Sequence, residues 1–199
     1  MSRHIGYLFI APAFIILFFT SIYPVAFSFY FSFFDWNWGN QENFIGLDNY
    51  LFLLTDPEFW TVIYNTFVFA SVSCFLEVTI GIILAIFVDR IVFCSTIIRT
   101  ILILPLMVSG IIVSMISKIM FNNLFGVIPY GLKQIDIRSS FFGSTEAAMP
   151  TLIGVDVWWQ TSFVFIIILA ALQGIPNDTV EAAKIDGASE WDITRFIRL

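Results

Sequence analysis

The sequence predicts an all-α polytopic membrane protein, four transmembrane helices followed by a polar helix-glycine-helix segment, and three observations predict it. The 199-residue chain is 59% hydrophobic and 12% charged, with a mean hydropathy of +0.91, far from the averages of soluble domains. Four apolar stretches meet or approach the roughly 20 residues that a hydrocarbon core of about 30 Å requires. After the fourth, the composition turns polar and rich in helix-capping residues.

The first span covers about 5–34 and holds no charged residue. Pro12 and Pro24 inside it are expected to kink the helix without ending it, because neighbouring helices can re-satisfy the freed carbonyls. A cleaved secretory signal has an apolar region of only about 7 to 15 residues followed by small residues, whereas here Phe and Tyr continue throughout, so a retained span is expected. The second span, about 59–88, is interrupted by one charge, Glu77. The third, about 100–120, has Pro105 near its start. The fourth, about 152–172, carries Asp156, Trp158, Trp159 and Gln160 near one end and breaks abruptly at Gln173-Gly174-Ile175-Pro176.

Lysine and arginine set the direction, since cytoplasmic loops carry their excess. With the N-terminus in the cytoplasm, Arg3, Arg90, Arg99, Lys184, Arg195 and Arg198 lie inside, against Lys118, Lys133 and Arg138 outside. The loops 35–58 and 121–151 then face outward, and the segment 174–199 is cytoplasmic. No internal repeat or low-complexity tract interrupts this single domain.

The segment reads as two short helices about a glycine. Asp178 with Glu181 forms a variant of the capping box, Ala182 and Ala183 favour helix, and Gly187 supplies the left-handed residue that ends it. Ser189 and Asp192 repeat the capping signal, and Ile193, Phe196 and Ile197 fall on one face of the second helix. On physical grounds alone, an apolar face of this kind packs on the chain's other cytoplasmic ends as a structured loop, docks on a separate partner or lies on lipid.

Several functions are set aside by what the chain lacks. Nine Lys plus Arg against 24 Phe leave no basic surface for nucleic acid. The single histidine, His4, has no ligand cluster around it, so no metal is implied, and no catalytic constellation or cofactor motif is present. Cys74 and Cys94 read as packing residues. Asn65 and Glu77 are the polar side chains of the second span. They lie about 3.3 turns and so about 120° apart on an ideal helix, a weak argument for one face.

Glu181, Ala182, Ala183, Gly187, Ile197 and Leu199 stand at the spacings of a motif found in permeases of binding-protein-dependent ABC importers, which the chain resembles. The motif reads Glu-Ala-Ala, three residues, Gly, nine residues, Ile, one residue, Leu-Pro, and only the closing proline is absent. The run Ile185-Asp186-Gly187-Ala188-Ser189 is similar to the carbohydrate-uptake branch with its maltose-type and glycerol-phosphate-type members. Tyr23-Pro24, Gly46-Leu47-Asp48-Asn49-Tyr50, Asn65-Thr66, Leu104-Pro105 and Ile175-Pro176 extend the resemblance over nearly the whole chain. Two departures stand at Ile116–Met120 and Ser162-Phe163, where family members commonly have a tryptophan and a Pro-Phe pair.

The resemblance implies a non-catalytic permease subunit of an ATP-driven sugar importer, coupled through Glu181, Ala182, Ala183, Asp186, Gly187, Ile197 and Leu199 to a cytoplasmic ABC ATPase dimer. It also implies a second permease subunit, an extracellular or periplasmic sugar-binding protein and a lipid environment as partners. Asn65, Glu77, Trp158, Trp159 and Gln160 are the candidates for the translocation path, although tryptophans at that depth often belong to an interfacial belt. The family continues past the glycine segment with two further spans, so the chain is expected to be a fragment or a truncated product. Two rival readings are a secondary transporter or channel subunit and an inactive structural fragment.

Overall fold

A computed structural model describes residues 3–36, 43–91, 94–135 and 141–198, which group into two compact units, Met1–Asn65 and Thr66–Leu199. The described residues are helical apart from turns, short links and one pair of two-residue strands. Three helices are long and apolar enough to cross a membrane, and a bent pair forms a fourth candidate.

In the first unit, α1 (Arg3–Leu17) passes through a π-helical turn at Phe18–Ile22 into α2 (Tyr23–Phe31). Proline has no N–H to donate, and its ring crowds the carbonyl four residues back. The wide turn lengthens the ladder by one residue just before Pro24, with the Tyr23 N–H on the Phe18 carbonyl. The span therefore continues through both prolines. Over Phe9–Phe31 its most apolar window has no buried residue.

The expected outer loop at 35–58 carries structure of its own. β1 (Phe34–Asp35) pairs antiparallel with β2 (Asn43–Phe44), and α3 (Asp48–Thr55) follows. Asn49 Nδ2 donates to the Ser32 and Phe34 carbonyls at 2.9 and 3.2 Å, and the Ser32 and Tyr50 hydroxyls hydrogen-bond at 2.6 Å. The loop is thereby tied to the end of α2.

α4 (Pro57–Arg90) carries the chain into the second unit, where it packs through small residues. Ser73, Gly81, Ala85 and Val88 are its buried positions, and all but Val88 are small enough to bring two backbones close. In lipid, where apolar side chains gain nothing by leaving the solvent, such close approach is what favours association. A Cβ on Gly81 would stand 2.6 Å from Val164 Cγ1 in α8 (Thr145–Gln173). Below this contact Ala85 and Val88 meet Phe165, Leu169 and Leu172, with Ile98 and Leu102 of α5 (Ser95–Ile103) packed against them.

The third span departs from a straight helix. α5 runs into a 3-10 turn, Leu104–Met107, then Val108 and Ser109 turn extended before α6 (Gly110–Met120). The two arms are bent by 92°. Pro105, which is buried in the turn, cannot continue the ladder of α5. The following loop, expected over 121–151, contains α7 (Val127–Lys133) and the start of α8. That helix begins at Thr145 because Ser144 Oγ accepts the Ala147 N–H at 3.3 Å and caps it.

Both cysteines are exposed, which corrects their reading as packing residues. Cys74 sits one position beyond Ser73, off the buried stripe of α4. Cys94 opens α5 in a left-handed conformation, with φ of 59°.

Candidate functional site

The polar segment after α8 folds as an elbow whose two halves are fixed by different devices. α9 (Asn177–Ile185) starts with Pro176 at the N-cap and no side-chain cap. This corrects the expected Asp178–Glu181 capping box: the helix begins two residues earlier, so Asp178 already lies in its first turn. There its charge complements the helix dipole instead of capping an N–H.

The C-terminal end of α9 behaves as the sequence predicts. Gly187 has φ of +86°, Ala188 N–H reaches the Ala183 carbonyl at 3.0 Å, and Gly187 N–H reaches that of Lys184 at 3.1 Å. These two bonds make a Schellman motif, which needs a left-handed residue that costs other side chains about 1 kcal/mol or more.

Ser189 then opens α10 (Glu190–Ile193). Its Oγ accepts the Asp192 N–H at 3.2 Å while its own N–H donates to Asp192 Oδ2 at 3.1 Å, a reciprocal capping box. The Ser189 hydroxyl and then its backbone N–H donate to the Asp192 carboxyl and hold it below the ordinary value of 3.8.

Beyond Ile193 the backbone widens into a π turn, Thr194–Arg198. This corrects the expected common face of Ile193, Phe196 and Ile197, because that alignment assumes 3.6 residues per turn. Ile193 is 1% exposed and Phe196 73%, with the Arg195 guanidinium 5.4 Å over the Phe196 ring. Ile197 is half-buried, and Leu199 lies outside the described residues.

Two arginines that served as topology signals in the sequence tie this end of the bundle together, one of them reaching the elbow. Arg90, the last residue of α4, donates from Nη2 to the buried Thr194 Oγ1 at 2.8 Å. Arg99 of α5 faces Gln173 at the end of α8; with the amide oxygen turned to accept, both Nη atoms reach it at 2.8 and 3.1 Å. The free surface of the elbow carries exposed Glu181, Ala182, Asp186 and Gly187, with Ala183 half-buried. Ile185 and Trp191 stand 86% and 70% exposed on the same segment.

The five pathway candidates have different surroundings. Asn65 is exposed. Glu77 on α4 is half-buried, as is Asp156 on α8. Trp158 lines a cavity of about 560 Å3 together with Val113, Met120, Phe121 and Phe141. Trp159 points its indole N–H to the Val108 carbonyl at 3.0 Å, and Gln160 is half-buried. Among the described residues, no three His, Cys, Asp or Glu side chains gather as a metal site would require.

Residues 77–199 match the family described as binding-protein-dependent transport system inner membrane component. The trehalose/maltose transport system permease protein MalF of Thermococcus litoralis is 32% identical over 197 residues, 98% of this chain and 67% of MalF. AmyD of Thermoanaerobacterium thermosulfurigenes, named a probable starch degradation products transport system permease protein, is 36% identical over 191 residues, 96% of this chain and 65% of AmyD. A solved bacterial ABC transporter involved in the import of the acidic polysaccharide alginate includes a chain of the same fold. It has a TM-score of 0.82 at 25% identity, over 98% of this chain and 66% of that one. A bacterial alginate ABC transporter has also been solved with an alginate pentasaccharide-bound periplasmic protein. The chain spans between 54% and 68% of the length of curated relatives it matches.

Proposed function

Since the chain belongs to the family of binding-protein-dependent transport system inner membrane components, we propose that it acts as the permease subunit of an ATP-driven importer of a sugar or related solute. The sugar assignment leans on the trehalose/maltose and starch-product relatives and on the Ile185–Ser189 run. The elbow is the observation that carries the coupling role. Two hydrogen-bonded caps meet at Gly187 and Ser189, so the segment can transmit a displacement without first deforming.

In this reading a cytoplasmic ATPase dimer docks on the elbow and closes on ATP. Glu181 offers the charge contact, Ala182 and Ala183 allow close approach, and Gly187, with Asp186 beside it, sets the angle between the two short helices. Ile197 and Leu199 belong to the same coupling segment. Arg90–Thr194 and Arg99–Gln173 pass the movement to α4, α5 and α8, and the bundle alternates its access between the two sides of the membrane. Hydrolysis belongs to the ATPase, and this chain contributes no catalytic group. A second permease subunit and an extracellular or periplasmic binding protein complete the assembly, and the N-terminus and elbow lie on the cytoplasmic side.

Co-expression with the cognate ATPase tests the docking. Glu181→Arg is expected to abolish co-purification while leaving membrane insertion intact, and Glu181→Gln to weaken it. Retention of the ATPase at the unsubstituted level by Glu181→Arg would remove the elbow from the interface.

A further inference from the structure

Non-helical backbone within a membrane segment leaves polar groups that lipid cannot satisfy, so it persists only where protein supplies the partner. Val108 and Ser109 are such a stretch, extended between the 3-10 turn and α6 with ψ of 129° and 147°. The Val108 carbonyl lies outside both helices, and its donor comes from fifty-one residues away, Trp159 Nε1 at 3.0 Å.

The same side chain also touches the far side of the break. A Cβ on Gly110, the first residue of α6, would stand 2.9 Å from Trp159 Cη2. The ring therefore occupies the space that any larger residue there would need. One indole thus contacts the residues on both sides of Ser109, through its N–H before the break and through its ring after it. It projects from α8, whose Phe165 and Leu169 are packed into the core with α4 and α5. Trp158, its neighbour, is 57% exposed and lines the adjoining cavity.

We propose that Trp159 is the positioning residue that holds the α5–α6 break at its 92° bend, a clasp mounted on α8. The role is separate from sugar contact and does not depend on transport by this chain. Removing the N–H strands a carbonyl in an apolar setting, and displacing the ring removes the surface on which α6 starts. Either change frees the angle.

The test uses the full chain in lipid nanodiscs, with Cys74 and Cys94 replaced by serine. Spin labels at Ile97 and Met115, both exposed, read the distance across the break. A second pair at Phe87 and Ile167, also exposed, reads the α4–α8 packing. Trp159→Phe keeps an aromatic ring but removes the donor and the outer indole carbons, whereas Gly110→Ala keeps the N–H group and pushes the indole aside. Each is expected to widen the distance distribution across the break about twofold, since an unpaired carbonyl or a displaced ring no longer favours one angle. The α4–α8 pair should not change, and Trp158→Phe should leave both distributions as they were. An unchanged break distance in both variants, or equal widening of the α4–α8 pair, overturns the proposal.

Discussion

The two ends of α8 meet their neighbours in opposite ways. Toward the elbow, Phe165, Leu169 and Leu172 close against Ala85 and Val88, and Ile98, Leu102 and Ile175 fill the remaining space. Toward its start, the same helix borders a cavity of about 560 Å3 walled by α6, Phe121, Phe141 and Trp158. Close packing permits movement only as a body, whereas a cavity leaves its lining without contacts on one side and so free to rearrange. The difference assigns stiffness to the end beside the elbow and freedom to the end beside the broken span.

The same substitution at two glycines measures this contrast most directly. Gly81→Ala puts a Cβ 2.6 Å from Val164 Cγ1, while Gly154→Ala, in the wall of the cavity, meets nothing within 4 Å. Overpacking at Gly81 is expected to cost about 2 kcal/mol. At Gly154 the added methyl should be neutral or stabilise by about 0.5 kcal/mol through helix propensity. Unfolding titrations in mixed micelles read both, and equal losses at the two positions would erase the distinction.

A smaller effect tests how the stiff end is joined to the elbow. Arg90→Ala removes the guanidinium bond to Thr194 Oγ1 and should cost about 1 kcal/mol, at the low end for a charge-assisted bond because Arg90 itself is exposed. Amide exchange should quicken through α10 and the π turn while α6 and α7 keep their rates. A uniform rise across the second unit would mean that Arg90 stabilises the whole bundle.

The smallest effect is a pH dependence confined to α10. Because the Asp192 carboxyl is held below 3.8, its contribution is present above that value and is lost as pH falls through the lowered one. Exchange at the Ser189 and Asp192 amides should therefore accelerate only under acid conditions, and Asp192→Asn should remove the dependence. Acceleration already at neutral pH would contradict the capping geometry.

Features that depend on local chemistry were legible in the sequence. The spans follow from length and hydropathy, Gly187 from the need for a left-handed residue, and the Ser189–Asp192 box from its spacing. Features that depend on distant residues were not. The third span was expected to run on past Pro105, and the angle of its break involves an indole on another helix. The split of Ile193 from Phe196 follows from a π turn, which a pattern search at 3.6 residues per turn cannot register. Arg90 and Arg99 stood in the sequence as markers of sidedness, and nothing local linked them to Thr194 and Gln173. The small-residue stripe of α4 was not read from the sequence, and only the partner helix shows what the missing side chains make room for.

The helix Phe9–Phe31 has a different consequence. Its most apolar window has no buried position, and the Thr20 hydroxyl is turned inward to the Ile16 carbonyl at 2.8 Å instead of outward to a neighbour. Such a cylinder offers acyl chains much the same surface at every azimuth. Lipid can fix its depth and tilt but not its rotation, so its rotational register is left to whichever protein surface it meets.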